Sequence, residues 1–329
     1  MAEFVPFRRI DHVDPVVVVD AYHPRAFVYS HWKGAGPAEP LMDDTSTGIV
    51  LNAIKHGDAG LDIPYVTNHH FDIDGFLGVW SFLHQESALK WEGVFREAAL
   101  IGDFREYDPQ RPFADEALKL CCWINSVEKK LFYAPFGEQK EVEACVEKYA
   151  YFLKALPGFL ENPEKYRHRW IGEYQRVRED WRSLHAQEQS LQVLEDLRLL
   201  VVRAPEPMHY YALFGESRTA DMVLSMYPGQ RYELEYKYTT WVDTTRQAAF
   251  ARVPLQPLAD RLNKLEPSAT WEADRVRDTG PGLRIKGEAL SKAERFAHPY
   301  ERSIRASDIP QKQLLQTITQ YYREAYQLA

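Results

Sequence analysis

Ile63-Pro64-Tyr65-Val66-Thr67-Asn68-His69-His70-Phe71-Asp72-Ile73-Asp74-Gly75-Phe76-Leu77-Gly78-Val79-Trp80-Ser81-Phe82-Leu83 decides the fold. It begins as a short apolar, β-branched run, the mark of a buried strand. Four ionisable side chains follow within six residues: His69, His70, Asp72 and Asp74. Beyond Gly75 the chain turns apolar at helical spacing, through Phe76, Val79, Trp80 and Leu83. A strand, a polar cluster and a helix in succession predict an open α/β sheet with its ligands at the carboxyl ends of the strands. In an extended segment alternate side chains share a side, so His70, Asp72 and Asp74 are expected to converge. Gly75 is expected to let the backbone turn sharply into the helix.

Working outward, Pro15-Val16-Val17-Val18-Val19-Asp20 and Ala26-Phe27-Val28-Tyr29-Ser30-His31 read as two further buried strands, closing on Asp20 and His31. Three strand ends would then set imidazole and carboxylate groups along one sheet edge, the donors that divalent cations take. Asp43 and Asp44 precede an apolar helix beginning near Ser46 and read as its N-caps. The start of that helix is also a ready anion site, which makes Asp44 and Ser46 candidates for contact with substrate. Asp103, after the periodic run Trp91–Leu100, is either a further ligand or part of a helix-end turn.

The segment His70-Phe71-Asp72-Ile73-Asp74-Gly75 resembles the first motif of the DHH phosphoesterase superfamily, D-x-D-x-D-G or a His-led variant after a strand. The match covers about fifteen residues of 329. The resemblance implies one or two Mn²⁺ or Mg²⁺ ions held by His70, Asp72 and Asp74, with His31, Asp20 or Asp103 completing the set. Asp103 is the candidate for the aspartate that bridges the ions in that family. It further implies a metal-activated water attacking a phosphoester, with Asp72 as proton acceptor and His69 as acid toward the leaving group. The name-giving D-H-H triplet is absent; the His69-His70 pair is fused to the first motif itself. His209 is a remote substitute ligand. The stretch also resembles segments of an uncharacterised bacterial protein family.

The remainder of the chain suits a second domain. From Phe113 to about Gln192 the pattern is helical, with burial stripes at Val142, Cys145, Val146, Tyr149, Phe152, Leu153 and at Trp170, Tyr174, Val177, Trp181. Strands are expected at Leu197–Arg203, Asp221–Tyr227 and Arg231–Val242, the last half-solvated, with a hairpin turn at Pro228-Gly229. Helices at Leu255–Leu265 and Pro310–Gln327 complete the smaller unit. The expected architecture is α/β. A mostly parallel sheet flanked by helices occupies residues 1–190, including the helical segment 113–190, and a smaller α/β domain occupies 191–329. As in the DHH enzymes, the smaller domain is expected to hold substrate. Arg246, Arg284 and Ser291 are the candidates, since Arg offers a two-pronged donor to phosphate or carboxylate.

A net charge of −8 argues against an extended nucleic-acid surface. Cys121, Cys122 and Cys145 form no C-x-x-C pattern and read as reduced, buried thiols. No apolar run reaches the length of a membrane span, so the chain reads as cytoplasmic and without a membrane partner. Neither a G-x-S-x-G elbow nor a P-loop occurs. The expected function is a metal-dependent hydrolase acting on a small phosphorylated or nucleotide-like substrate. An enzyme using the same ligands on a non-phosphorylated molecule, and a non-catalytic binding module, stay open, as does a homo-oligomer.

Overall fold

Four short segments rich in β-branched and aromatic residues build the first sheet: β1 (Glu3–Phe4), β2 (Val16–Val19), β3 (Phe27–Tyr29) and β4 (Tyr65–Thr67). In this computed structural model the described residues are 2–132, 139–186, 189–246, 250–287 and 297–327, side chains at 139–144 excepted. The strands are all parallel, in the order β1-β4-β2-β3. β2 is buried along its length, as a strand covered on both faces must be. The chain passes from β2 to β3 on one side and returns to β4 on the other, so the order reverses at the end of β2. Two residues are too few for periodicity to reveal, and β1 has no sequence signature of its own.

The helices of this unit are α1 (Ser46–His56), α2 (Ile73–Leu83), α3 (Gln85–Lys90), α4 (Glu92–Phe104), α5 (Ala114–Leu131), α6 (Gln139–Glu161) and the first part of α7 (Arg167–His185). α2 is buried from Ile73 to Phe82, apolar on every side, and packs on α1 and α4. The cap of α1 is Thr45, whose hydroxyl accepts from the Gly48 amide at 3.0 Å, and not Asp43 or Asp44. Asp43 accepts from the Thr45 amide and pairs with Arg96 at 2.7 Å. Gly57 closes α1 in the left-handed region, at φ 64°.

Two compact units make up the chain: Met1–Gln175 with Val242–Ala248, and Arg176–Trp241 with Ala249–Ala329. The division expected at 190/191 is therefore drawn inside α7, and a short piece from far along the sequence joins the first unit. The helical reading to Gln192 stops short as well, because β5 (Leu191–Leu194) is already a strand.

The second unit continues with β6 (Leu199–Arg203), α8 (Tyr210–Leu213), β7 (Met222–Tyr227), β8 (Arg231–Tyr236), α9 (Gln256–Asn263), β9 (Trp271–Ala273), β10 (Gly282–Ile285) and α10 (Gln311–Tyr326). Its mixed sheet has the order β5-β6-β7-β8-β10-β9. The turn between β7 and β8 places Gly229 and Gln230 at φ 73° and 57°, the paired positive values a tight hairpin needs. Leu199 and Val201 enter one core while Leu200 and Val202 enter another, so both faces of the sheet are covered. Hence β8 is not half-solvated. Glu233 is only 3% exposed and meets Arg302 through both carboxylate oxygens. Alternation predicted the faces correctly; it carried no information that the charged face would also be covered.

Candidate metal centre

Asp20 leaves the end of β2 with φ 52°, a left-handed conformation uncommon outside glycine, and is 2% exposed. Its amide donates to the Tyr29 carbonyl at 3.0 Å. One carboxylate oxygen, Oδ1, accepts from the Ser46 hydroxyl at 2.7 Å and lies 3.3 Å from His31 Nε2. The other, Oδ2, lies 3.1 Å from His70 Nε2. Asp20 is thus shared between two imidazoles.

Around His31 the group is closed. The ring is 1% exposed, and its Nδ1 donates to the Asp44 carbonyl at 2.7 Å. A carbonyl can only accept, so Nδ1 carries the hydrogen and Nε2 is the nitrogen turned to the carboxylates. Nε2 lies 3.4 Å from Asp103 Oδ2 and 3.8 Å from Asp74 Oδ2. Asp74, fully buried, stands in the first turn of α2 and accepts from the Ser46 and Thr47 amides at 2.7 Å each. The start of α1 is therefore occupied by Asp74, not open to an anion. Ser46 supports Asp20 and also accepts from the His31 amide at 3.3 Å.

Around His70 the group is more open, with Asp72 38% exposed and His70 20% exposed. His70 Nε2 is 2.9 Å from Asp72 Oδ2, and its Nδ1 is 2.8 Å from His69 Nδ1. Asp72 Oδ1 also caps α2 by accepting from the Gly75 amide at 2.8 Å. The residues converge because a strand end hands over to a helix start, not because an extended segment alternates. Gly75 is needed for close approach and not for its turn: a Cβ there would lie 2.2 Å from Asn68 Nδ2 and 3.1 Å from Asp20 Oδ2.

At this centre two sets of three side chains could each hold a metal ion: Asp20, His31, Asp74 and Asp20, His70, Asp72. Asp20, rather than Asp103, is the member common to both; Asp103 adds to the His31 side alone.

The electrostatics follow from four carboxylates facing two imidazoles. Burial alone would lower the His31 pKa, but the hydrogen bond to Asp20 with the charges of Asp103 and Asp74 raise it to about 10. His70 is likewise raised, against its burial, by Asp72 and Asp20. Asp20 is buried too, yet its two imidazole partners hold it below the ordinary carboxylate range. Asp74 is pushed up to about 7 by burial and then by Asp20, and Asp103 is pushed well up by burial and then by Asp74 and Asp72. The crowding of carboxylates draws protons into the group, and a divalent cation bound there would take their place.

Other expected site residues are placed differently. His69 is lowered to about 4 by burial and by His70, so near neutrality it is an uncharged acceptor and not an acid. Asp44 binds Thr245 and Arg246, and Arg246 also takes Glu106. Arg284, in the second unit, pairs with Asp274 at 2.7 Å. His209, in the second unit, caps α8 and stacks on His298 at 3.5 Å. Ser291 lies outside the described residues. The three cysteines are buried. Among the described residues no helix is long and apolar enough to cross a membrane. Glu106 and Thr245 were missed in the sequence, since neither stands in a motif.

One family matches the chain over residues 1–329, described as "Family of unknown function (DUF6687)". No curated protein matches, and no solved structure does. The match agrees with the resemblance to an uncharacterised family; nothing in the comparisons supports a relationship to the DHH superfamily.

Proposed function

The chain belongs to this family of unknown function, and from that premise we propose that it is a metal-dependent hydrolase, a phosphoesterase acting on a small phosphorylated or nucleotide-like substrate. One observation carries the reading. Two imidazoles, each tied back through Nδ1, turn Nε2 toward one shared carboxylate. Metal-ligating histidines are oriented in this way, the far nitrogen held by a carbonyl or another acceptor. Asp20, His31 and Asp74, with Asp103 beside them, would hold one ion, and Asp20, His70 and Asp72 the other. Mixed imidazole and carboxylate donors suit Mn²⁺ better than Mg²⁺, which prefers oxygen and water.

Divalent cations bound there would supply Lewis acidity toward a phosphoryl oxygen and make a water acidic enough to act as nucleophile near neutral pH. The chain's own groups do the positioning. The Asp44 carbonyl and His69 fix the two tautomers, and the first amides of α1 fix Asp74. Asp72, the carboxylate most open to solvent among these, would take the proton of the attacking water. Arg246 and Arg284 are already paired with carboxylates, so attraction for an anionic substrate would fall to the cations.

Elemental analysis of protein purified without chelator, followed by turnover of a model phosphodiester and a non-phosphate ester with added Mn²⁺, tests the proposal. Up to two ions per chain and phosphodiester cleavage are expected. Cleavage of the non-phosphate ester alone would move the activity to a different substrate class. Bound metal without any turnover would leave a binding module, and no metal above trace would overturn the reading.

A further inference from the structure

Val242–Ala248 belongs to the first unit although the sequence on either side belongs to the second. The contacts of residues 242–246 fall on His31, on Trp32 and Gly34 beside it, and on Asp44 and Glu106. Val242 forms an antiparallel bridge with Trp32, and the Asp243 amide donates to the His31 carbonyl at 2.7 Å. The Asp243 carboxylate accepts from the Gly34 amide at 3.1 Å. Thr245 donates to Asp44 Oδ1 through both its amide and its hydroxyl, at 2.8 Å each. Arg246 Nε donates to Asp44 Oδ2, and its Nη1 reaches both oxygens of Glu106 at 2.8 and 2.7 Å. The guanidinium is 12% exposed and lies 5.4 Å over the Phe104 ring, which neighbours His31 at 6.1 Å.

From this geometry we propose that Arg246 is a positioning residue for His31, and so for one of two ion positions; the inference rests on the metal reading above. Arg246 fixes the Asp44 side chain, and the Asp44 carbonyl in turn fixes the His31 ring through Nδ1. Asp243 holds the His31 backbone and Thr245 the Asp44 side chain, so one short segment grips His31 directly and its ring through Asp44. Arg246 is poorly suited to hold an anion itself. Its charge is already met by two carboxylates. His70 is oriented by His69 and has no part in this linkage. Loss of Arg246 therefore acts on one ion position and spares the other.

The test is Mn²⁺ binding by the full chain, read by equilibrium dialysis and by electron paramagnetic resonance, for the wild type, Arg246→Gln and Arg246→Lys. The wild type is expected to bind two ions with an exchange-coupled signal. Arg246→Gln should bind one ion with unchanged affinity and the second roughly 10- to 100-fold more weakly, giving an uncoupled signal. Arg246→Lys keeps a cation between Asp44 and Glu106 and should recover part of the weaker site. Thr245→Ala, which removes a single hydroxyl contact, should move the same site by less and serves if Arg246→Gln does not fold. Equal loss of both ions in Thr245→Ala, or two wild-type affinities in Arg246→Gln, overturns the inference alone. A wild-type chain that takes up no ion overturns the metal reading and this inference with it.

Discussion

Replacing Asp20 by Asn tests the central geometry even without metal. Asparagine tolerates the left-handed backbone at φ 52° nearly as well as any residue except glycine, so the substitution changes charge and little else. Against burial, His31 is raised to about 10 by Asp20, Asp103 and Asp74, His70 is raised by Asp72 and Asp20, and each faces an oxygen of Asp20. Removing one partner of a buried pair costs about 3–5 kcal/mol, because the other charge stays buried. At about 2–4 °C per kcal/mol in a domain of this size, the midpoint of unfolding should fall by roughly 10 °C. Asp72→Asn is the matched control: asparagine caps helices as well as aspartate, and the lost pair is partly solvated, worth about 0–1 kcal/mol. Thermal unfolding in chelator at pH 7 gives the comparison directly. Equal midpoints for Asp20→Asn and Asp72→Asn would refute the shared, buried role of Asp20.

The metal-free protein should lose stability as pH rises from about 6.5 to 9. His31, raised from 6.5 to about 10, stabilises the fold fully below 6.5 and ceases to as pH climbs through 10; Asp74, raised from 3.8 to about 7, acts in the same direction between those values. His69, lowered from 6.5 to about 4, opposes this only below 6.5. A melting series in chelator that is flat or rising above pH 6.5 would contradict the assignment. Gly75→Ala should abolish Mn²⁺ uptake and cost on the order of 1–3 kcal/mol, since its Cβ would meet Asn68 Nδ2 at 2.2 Å; dialysis and urea unfolding measure both. Arg302→Met should destabilise by about 3–5 kcal/mol by stranding buried Glu233, and adding Glu233→Gln should restore part of that, as urea unfolding would show.

Much of the centre was legible because it depends on local order. β2, β3 and β4 each announce themselves as apolar runs, and each ends at or just before a titratable side chain, so Asp20, His31 and His70 followed from the strand ends alone. Asp103 was singled out only by the family resemblance, with a helix-end turn left open, and it stands in the last turn of α4. The supporting groups were read wrongly. Asp43 and Asp44 looked like caps because they precede a helix, but Thr45 stands closer to it and the acids are drawn away by Arg96 and Arg246. Glu106 and Thr245 reach the site through tertiary contacts spanning 140 and 201 residues of sequence separation, which no periodicity encodes. His69 shows the same limit: burial first, and then the charge of His70, lowers its pKa, and neither can be read from adjacency in the sequence.

The seating of Asp74 on the opening amides of α1 makes the backbone itself a sensor. The amide protons of Ser46 and Thr47 point at the two oxygens whose charge changes when the site is protonated or filled. Their nuclear magnetic resonance shifts and solvent-exchange rates would follow events at the centre in the unmodified chain, with no label introduced and no substrate identified.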